Sequence, residues 1–396
     1  MRQIYNRLLP SFLPMALLLG ACVDMSDVTR PLTVQVQVLP PDGMADVCDL
    51  GGRTVVMSLS DTSFTAVTDD GGIATFADIA PDIYDISVSW KVSTLDYLYT
   101  ISGSLNSQLV ADATPLQIAT RMVEDRDIVI GKIASSGSKD QNNRTYQAGK
   151  YVELYNQSDE AVDFAGLYIG LLDSESSQPY TLANLANDHP DSILVKQIFR
   201  IPADEPYLVQ PGGTVLLVNS AVDHSDVSEY EYDLRGADFE AKDASGTYQN
   251  NPDVPALENV FSHMSGTSNM NLVQGGPCGV VIFRTDIDVT ALPRTYAYGK
   301  TKGSQWLLLP VDVILDGVDY LHNKVTGVDA GTKRLPDAVD AGYTYINAIS
   351  GKSGEVVYRR TASVTADGRI ILEDTNNSSN DFQISTTIAP RQYDNE

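Results

Sequence analysis

The sequence contains few of the residues on which metal sites and nucleophilic catalysis depend. Its 396 residues include three cysteines and four histidines. The histidines form no His-Glu-x-x-His pair and lie far apart in the chain, which argues against a zinc site. The Gly-x-Ser-x-Gly turn that carries the nucleophile of α/β-hydrolases is also missing. No catalytic motif is recognisable, so the sequence predicts a protein that is not an enzyme and needs no cofactor.

Positive charge is the second shortage. Lysine and arginine number 27 against 52 aspartates and glutamates, which gives a formal net charge of −25. Nucleic-acid binding depends on Lys and Arg side chains that neutralise phosphates, so no nucleic-acid partner is expected. An acidic surface favours solubility outside the cell. The alternative is that acidic loops bind divalent cations.

Long apolar runs are missing as well. Roughly 20 apolar residues are needed to cross a bilayer as a helix, and the longest run, Leu8–Leu19, is shorter and contains two prolines. Arg2 and Arg7 precede this run, and small residues follow it. A basic start, an apolar middle and a small-residue exit predict a signal peptide over residues 1–21.

The exit of this segment, Leu19-Gly20-Ala21-Cys22, resembles the lipobox of bacterial lipoproteins. The resemblance implies that Cys22 carries the lipid and becomes the first residue of the mature chain. An ordinary signal peptide followed by a chance cysteine is the alternative. The acidic residues that follow, in an anchor linker over 22–30, resemble those of Bacteroidetes lipoproteins that reach the outer face of the cell. We therefore expect lipid anchoring at the outer membrane, with the chain at the cell surface.

The chain is longer than one hydrophobic core usually supports, so two domains are expected. Residues 31–125 begin with strict alternation of apolar and polar residues over Leu32–Val38, which is typical of a half-buried strand. Further strands are predicted over Thr54–Leu59, Leu95–Ile101 and Leu116–Met122. Between them, several positions resemble the carboxypeptidase-regulatory-like, or transthyretin-like, domain, a small β-sandwich that serves as a spacer without catalytic residues. The matching positions are Thr68, Asp69, Gly72, Ala74, Phe76, Ile79, Pro81 and Tyr84.

Residues 126–396 form the second predicted domain, which follows a polar joint at Glu124–Asp127. Its most distinctive stretch, Tyr151–Gly170, is predicted to form a strand, a polar turn and a second strand. This stretch resembles the opening of the lamin-tail domain, an immunoglobulin-like β-sandwich. Four later segments also resemble that family: Val209–Asn219, Val313–Tyr320, Val357–Arg360 and Asp374–Phe382. The predicted fold class is all-β, with two immunoglobulin-like sandwiches in series, the second larger and interrupted by a long polar insertion.

The insertion covers about residues 222–270 and is rich in Asp, Glu, Asn, Ser and Gly. We expect it to lie over one edge of the sandwich, to add no core, and to tolerate shortening. Long loops are often functional. Its acidic residues could bind calcium, although the Asp-x-Asp-x-Asp-Gly loop is missing and a solvated loop is the simpler interpretation. The candidate ligands are Asp223, Asp226, Glu229 and Asp233.

Other side chains carry competing interpretations. Tyr296, Tyr298 and Trp306 could form an aromatic surface that recognises a partner, or could pack in the core. Glu153 could be functional, but a structural role, in which it binds an arginine or backbone N–H groups, is favoured. Cys48 and Cys278 could form a disulfide in an exported chain. They fall in different predicted domains, so two free thiols are the default.

The whole combination resembles a group of Bacteroidetes surface lipoproteins of unknown function. The first functional hypothesis is a non-catalytic binding or assembly protein with an unknown protein or glycan partner. An outer-membrane nutrient transporter is one protein beside which it could act. The second is a secreted, metal-dependent hydrolase that uses the acidic insertion. Carboxylates clustered with a histidine around one cavity would favour the hydrolase, whereas an open surface of a sandwich would favour binding.

Overall fold

The computed structural model describes residues 30–45, 47–59, 62–93, 98–124, 126–173, 179–264 and 266–394. The predicted signal peptide and the lipidation site Cys22 lie outside these residues. Within them, no helix is both long enough and apolar enough to cross a membrane. Strands make up most of the regular structure, which confirms the predicted all-β fold class.

The N-terminal sandwich, described from residue 30 to 124, is built from two sheets. Its strands are β1 (Leu32–Leu39), β2 (Thr54–Leu59), β3 (Thr62–Val67), β4 (Ile73–Ile79), β5 (Asp82–Ser93), β6 (Leu98–Val110), β7 (Leu116–Ala119) and β8 (Arg121–Glu124). One sheet has the order β4-β1-β7, and the other has the order β3-β2-β5-β6-β8. Val34, Val36 and Val38 on β1 are fully buried between the sheets, as the alternation predicted.

The predicted strand Leu95–Ile101 begins outside the described residues, and β6 continues to Val110. The last predicted strand of this sandwich also differs from its prediction. The sequence pattern predicts a single strand over Leu116–Met122, but the structure divides it at Thr120 into β7 and β8. β7 pairs with β1 in one sheet, whereas β8 pairs with β6 in the other. The hydroxyl of Thr120 is buried and donates a hydrogen bond to the carbonyl oxygen of Leu39, at 2.7 Å. The chain therefore changes sheets at Thr120, and this opens the side of the sandwich.

The C-terminal sandwich, described from residue 126 to 394, also has two main sheets. Its strands are β9 (Ile128–Ala134), β10 (Ser138–Lys139), β11 (Thr145–Tyr146), β12 (Tyr151–Asn156), β13 (Val162–Asp163), β14 (Tyr168–Leu172), β15 (Ser192–Arg200), β16 (Leu208–Val209), β17 (Thr214–Val218), β18 (Phe239–Glu240), β19 (Glu258–Ser262), β20 (Val280–Phe283), β21 (Arg294–Thr295), β22 (Trp306–Pro310), β23 (Ile314–Val318), β24 (Asn323–Lys324), β25 (Gly327–Val328), β26 (Val356–Arg359), β27 (Thr361–Val364), β28 (Ile370–Leu372) and β29 (Phe382–Ser385). The helices are α1 (Leu182–Asp188), α2 (Ser378–Asp381) and the 3₁₀ turns Val289–Ala291, Val311–Val313 and Ala330–Thr332.

The two main sheets face each other across one core. The first has the order β18-β17-β12-β9-β26-β29, and the second has the order β21-β22-β15-β14-β20-β23, with β19 also paired to β15. The stretch Tyr151–Gly170 crosses from the first sheet to the second, because β12 belongs to one and β14 to the other. Its second predicted strand is broken into β13 and β14. Val152 and Leu154 meet Leu167 and Ile169 in the shared core.

The expectation that the insertion adds nothing to the core is wrong. β18 pairs with β17, and β19 pairs with β15, so the segment extends both sheets. It also covers the outer face of the first sheet, where Leu234 and Val254 pack against Tyr151. The buried apolar side chains that it supplies are Leu234, Phe239, Ala241, Val254, Leu257, Phe261 and Met270. Sparse aliphatic residues at the right positions are enough to join an existing core.

The two sandwiches have separate cores. The core residues of the first all precede Glu124, and those of the second all follow Asp127. The two remaining cysteines are free thiols, as expected: Cys48 is half-buried in the first sandwich, and Cys278 is buried in the second. Burial raises the pKa of the Cys278 thiol.

Candidate functional site

Buried charges in the C-terminal sandwich form a structural centre around Arg359, which is 1% exposed. Its guanidinium lies 2.8 Å from Asp316 Oδ2, 3.1 Å from Asp374 Oδ1 and 3.2 Å from Asp381 Oδ2. Its Nε donates to the carbonyl oxygen of Ile130 at 3.0 Å. Burial raises the pKa of Asp381 well above its ordinary value, although the charge of Arg359 opposes this. We name these residues, Arg359 with Asp316, Asp374 and Asp381, the Arg359 centre.

A second pair of buried acids fixes the segment Lys333–Gly342. Asp319 Oδ2 accepts hydrogen bonds from the backbone N–H groups of Arg334 and Leu335, each at 2.7 Å. Asp340 Oδ2 accepts from the N–H of Asp319 at 2.8 Å. Burial raises the pKa of Asp319 to about 6, with the charge of Lys333 opposing and that of Asp340 adding. Both acids therefore hold backbone in place, and Lys333–Gly342 is positioned by them.

Glu153 has the structural role that the sequence favoured. Its Oε1 lies 2.7 Å from Lys132 Nζ, and both side chains are fully buried. Its Oε2 accepts a hydrogen bond from the backbone N–H of Arg391 at 2.6 Å. The Lys132 ammonium also lies 3.8 Å from the ring centre of Tyr393. The pair of Lys132 and Glu153 thus attaches the C-terminal segment, Arg391–Tyr393, to the first sheet.

A cleft with a volume of about 440 Å³ lies between the two sandwiches, and we name it the interdomain cleft. Hydrogen bonds cross between its walls: Ser102 Oγ donates to the carbonyl oxygen of Thr375, and Asn106 Nδ2 to that of Ala341, both at 2.6 Å. Clefts of this size at domain interfaces are common ligand sites. Most lining side chains are amides, hydroxyls or small residues, and the charged ones are Arg121, Lys333 and Asp337.

The wall of the interdomain cleft on the C-terminal side comes from the segment that Asp319 and Asp340 hold. Lys333, Asp337, Ala338 and Ala341 line the cleft from this segment. Lys333 Nζ donates to the carbonyl oxygens of Asp340 and Gly342, at 2.7 and 2.9 Å. A second cavity of about 460 Å³, mostly apolar and bordered by α1, shares Asp337 and Ala338 with the cleft. Buried acids therefore shape the site without being exposed in it.

The predicted aromatic residues are distributed between the core and the surface. Trp306 is 6% exposed and stacks on His263, with ring centres 5.1 Å apart. Tyr298 is 41% exposed and meets Tyr180 edge to face at 5.1 Å. Tyr296 is half-buried. Core packing, the alternative that the sequence left open, therefore describes Trp306.

Two of the four predicted calcium ligands are positioned around an arginine. Asp223 Oδ2 lies 3.2 Å from Arg235 Nη2, and Asp233 Oδ2 lies 2.5 Å from the same atom. Asp226 and Glu229 are exposed nearby in sequence. Across the described ranges, no three His, Cys, Asp or Glu side chains are arranged to hold a metal ion. Asp223 and Asp233 are thus bound to a cation that the protein itself provides.

Glu231 and Lys150 should give the stability of the protein a minimum near neutral pH. Burial raises the pKa of Glu231 from 4.5 to about 7, and burial lowers the pKa of Lys150 from 10.5 to about 8. Between pH 4.5 and 7 the folded chain binds more protons at Glu231 than the unfolded chain, so its contribution to stability falls as pH rises. Between pH 8 and 10.5 the folded chain binds fewer protons at Lys150, so that contribution rises with pH.

Urea denaturation at acidic, neutral and alkaline pH measures this minimum. Glu231→Gln should reduce the fall in the free energy of unfolding between pH 4.5 and 7. Lys150→Met should reduce its rise between pH 8 and 10.5. Glu229→Gln, which changes an exposed glutamate two residues away, is the matched control and should leave the pH dependence of stability unchanged. If Glu231→Gln and the parent protein have the same pH dependence, Glu231 is not the group responsible for the fall.

The structure is that of an all-β protein of two sandwiches with a cleft between them. Residues 210–389 match a family described as Protein of unknown function (DUF4876). The chain is also similar to a crystal structure of a DUF4876 family protein from Bacteroides thetaiotaomicron, with 21% sequence identity and a TM-score of 0.54. The match covers 89% of this chain and 95% of that chain. At this identity the likeness shows the fold alone, and no curated protein matches the sequence.

Few of the residues that line the interdomain cleft belong to the motifs recognised in the sequence. The lamin-tail and carboxypeptidase-regulatory-like assignments stay predictions. The interdomain cleft was not predicted, because its open side depends on the change of sheet at Thr120. The one available signal was Thr120 itself, a polar residue that interrupts the apolar pattern of Leu116–Met122.

Proposed function

We propose that this chain is a non-catalytic bacterial lipoprotein of the outer membrane, exposed at the cell surface, that binds a protein or glycan partner. The observation that carries the proposal is the interdomain cleft, an open volume of about 440 Å³ between two separately cored sandwiches. Its amide and hydroxyl lining supports binding through hydrogen bonds. A nutrient transporter in the same membrane is the kind of partner beside which such a protein would act.

The disposition of the acidic residues supports a role without catalysis. The carboxylates of Asp316, Asp319, Asp340 and Glu153 all accept hydrogen bonds from backbone N–H groups inside the C-terminal sandwich. A general acid or base must instead reach a substrate in an accessible pocket. Asp337 is the acidic residue that lines the interdomain cleft. The metal-dependent hydrolase stays a hypothesis that no observed geometry favours.

Capture of a partner from solubilised membranes tests the binding proposal. The affinity-tagged full chain should retain a specific protein or glycan, identified by mass spectrometry. Gln117→Trp, which fills the cleft from an exposed position on β7, should lose it. Gln35→Trp is the matched control, because Gln35 is an exposed glutamine on β1 of the same sheet and does not line the cleft. Equal retention by Gln117→Trp would place binding elsewhere.

The lipid anchor has its own prediction. Cys22→Ser should abolish labelling by a fatty-acid analogue and should release the protein from membranes washed in high salt, because several acyl chains give a stable anchor. Cys48→Ser removes a cysteine that lies within the N-terminal sandwich and should change neither result. Membrane retention of Cys22→Ser would show that the anchor lies elsewhere in the chain.

A further inference from the structure

The N-terminal sandwich has an open sheet edge facing the interdomain cleft. β8 pairs with β6 over Tyr99–Ser102 and ends there. Beyond Ser102, β6 continues to Val110, and among the described residues no strand pairs with its outer side. Edge strands present unpaired N–H and C=O groups that can pair with another chain. The open edge of β6 therefore offers a backbone hydrogen-bonding surface inside the cleft.

The cleft begins where β6 and β7 separate. Gly103 on β6 lies against β7 so closely that a β-carbon there would collide with the carbonyl oxygen of Ala119. From this point β7 turns away to pair with β1, and it forms the free edge of its own sheet. The cleft is thus bounded by two sheet edges and by the Lys333–Gly342 segment.

The regular part of the open edge is short. Ser107 has a positive φ of 52°, and its N–H donates to Asp85 Oδ1 at 2.6 Å, so β6 bulges there. The stretch from Gly103 to Asn106 remains regular, and four residues of strand span roughly 13 Å at about 3.3 Å per residue. An extended segment of that length is the shape that an edge of this kind can pair with.

The charged residues of the lining indicate which kind of extended segment the cleft would bind. Arg121 is exposed, and within the described part of the chain it has no hydrogen-bond or ion-pair partner. Lys333 and Arg121 are the cations of the lining, and Asp337 is its acidic residue. Lys333 Nζ lies 3.6 Å from the buried carboxylate of Asp319, so Arg121 is the cation of the lining that an incoming segment can meet. A carboxylate placed near Arg121 would therefore meet a complementary charge.

We propose that the interdomain cleft takes an extended, acidic polypeptide segment of a second protein, which adds as a strand to the open edge of β6. Strand addition uses main-chain hydrogen bonds for affinity and side-chain contacts for specificity. Here Arg121 supplies the specificity by pairing with a carboxylate of the segment. The inference rests on the proposed binding function and names the chemistry of the partner.

Panning a displayed library of random ten-residue peptides against the full chain tests the proposal. Acidic, strand-forming sequences should be enriched. N-methylation of the selected peptide should weaken binding about tenfold at every second residue, because alternate amides donate to β6. Amide hydrogen exchange of Ser104–Asn106 should slow when the peptide is bound. These two readouts report backbone pairing, which a side-chain site would not show.

Four variants check the site. Arg121→Glu and Gln117→Trp should each weaken binding of the selected peptide at least about tenfold, which is the scale of one lost charge-assisted contact. Lys300→Glu makes the same charge change at an exposed position outside the cleft, and Gln35→Trp again controls for bulk. Neither control should alter binding.

Three results would overturn strand addition. They are no peptide enrichment over the Gln117→Trp protein, binding that N-methylation does not weaken, and an oligosaccharide as the ligand that Gln117→Trp loses. If the parent protein and Arg121→Glu capture the same membrane partner equally well, the binding function is supported. The proposal that the partner supplies an acidic segment is then wrong. Failure to capture any partner would instead remove the proposed function.

Discussion

Replacing Arg359 with methionine is expected to lower the free energy of unfolding of the C-terminal sandwich by about 3–5 kcal/mol, as removal of one partner from a buried ion pair does. Methionine replaces the aliphatic stem of arginine but leaves Asp316, Asp374 and Asp381 without their shared cation. All three carboxylates are buried. Protonating them or letting water enter would relieve the charge, and both responses cost free energy in the folded state. Urea denaturation followed by circular dichroism measures the loss.

The adjacent arginine gives the matched control. Arg360 is exposed, and its side chain contacts Gln383 through one hydrogen bond of 3.3 Å. Arg360→Met should therefore change the free energy of unfolding by no more than about 0.5 kcal/mol, as surface substitutions usually do. A loss below about 1 kcal/mol for Arg359→Met would show that the three carboxylates do not depend on this guanidinium in the folded chain.

The Arg359 centre also shows which parts of a buried site can be predicted from the sequence. Arg359, Asp374 and Asp381 lie in two segments that resemble the end of the lamin-tail domain, so the sequence showed them as parts of a motif. Asp316 lies in a third such segment, Val313–Tyr320. Their convergence on one guanidinium was not visible, because a motif states which residues occur and not which strands become neighbours.

Strand patterns had a similar limit. The alternation of β1 has a polar face, so its inward residues could be read from the sequence. β12 is buried on both faces, by the core on one side and by the insertion and the C-terminal segment on the other. Glu153 lies on the second face and needs Lys132 and the N–H of Arg391. Periodicity predicts burial along a strand but not the layer that provides it.

The interdomain cleft depends on the same missing information. Its C-terminal wall is held by Asp319 and Asp340, which accept hydrogen bonds from N–H groups up to 38 residues away in sequence. Its N-terminal wall depends on the separation of β7 from β8 at Thr120. Neither relationship leaves a periodic pattern. The proposed binding cleft is therefore the part of the molecule that sequence reasoning located least well.

Replacing the whole insertion, residues 222–270, with a short Gly/Ser link is expected to prevent the C-terminal sandwich from folding. The insertion buries six large apolar side chains: Leu234, Phe239, Val254, Leu257, Phe261 and Met270. Each is worth about 1.5–3 kcal/mol when fully buried, so together they contribute roughly 10 kcal/mol or more. That is comparable to the whole stability of a domain, about 5–15 kcal/mol. Shortening a loop recovers only about 0.6 kcal/mol for each halving of its length.

Polar contacts of the insertion point to the same result. Glu240 is fully buried and accepts hydrogen bonds from the N–H groups of Ala221 and Asn251, at 2.6 and 3.0 Å. The control replaces only residues 244–247, which are exposed, with two glycines, and it should melt cooperatively within a few degrees of the parent protein. Near-ultraviolet circular dichroism and thermal melting distinguish the two proteins. A cooperative melt of the fully replaced protein would show that the six side chains cover a core that is stable without them.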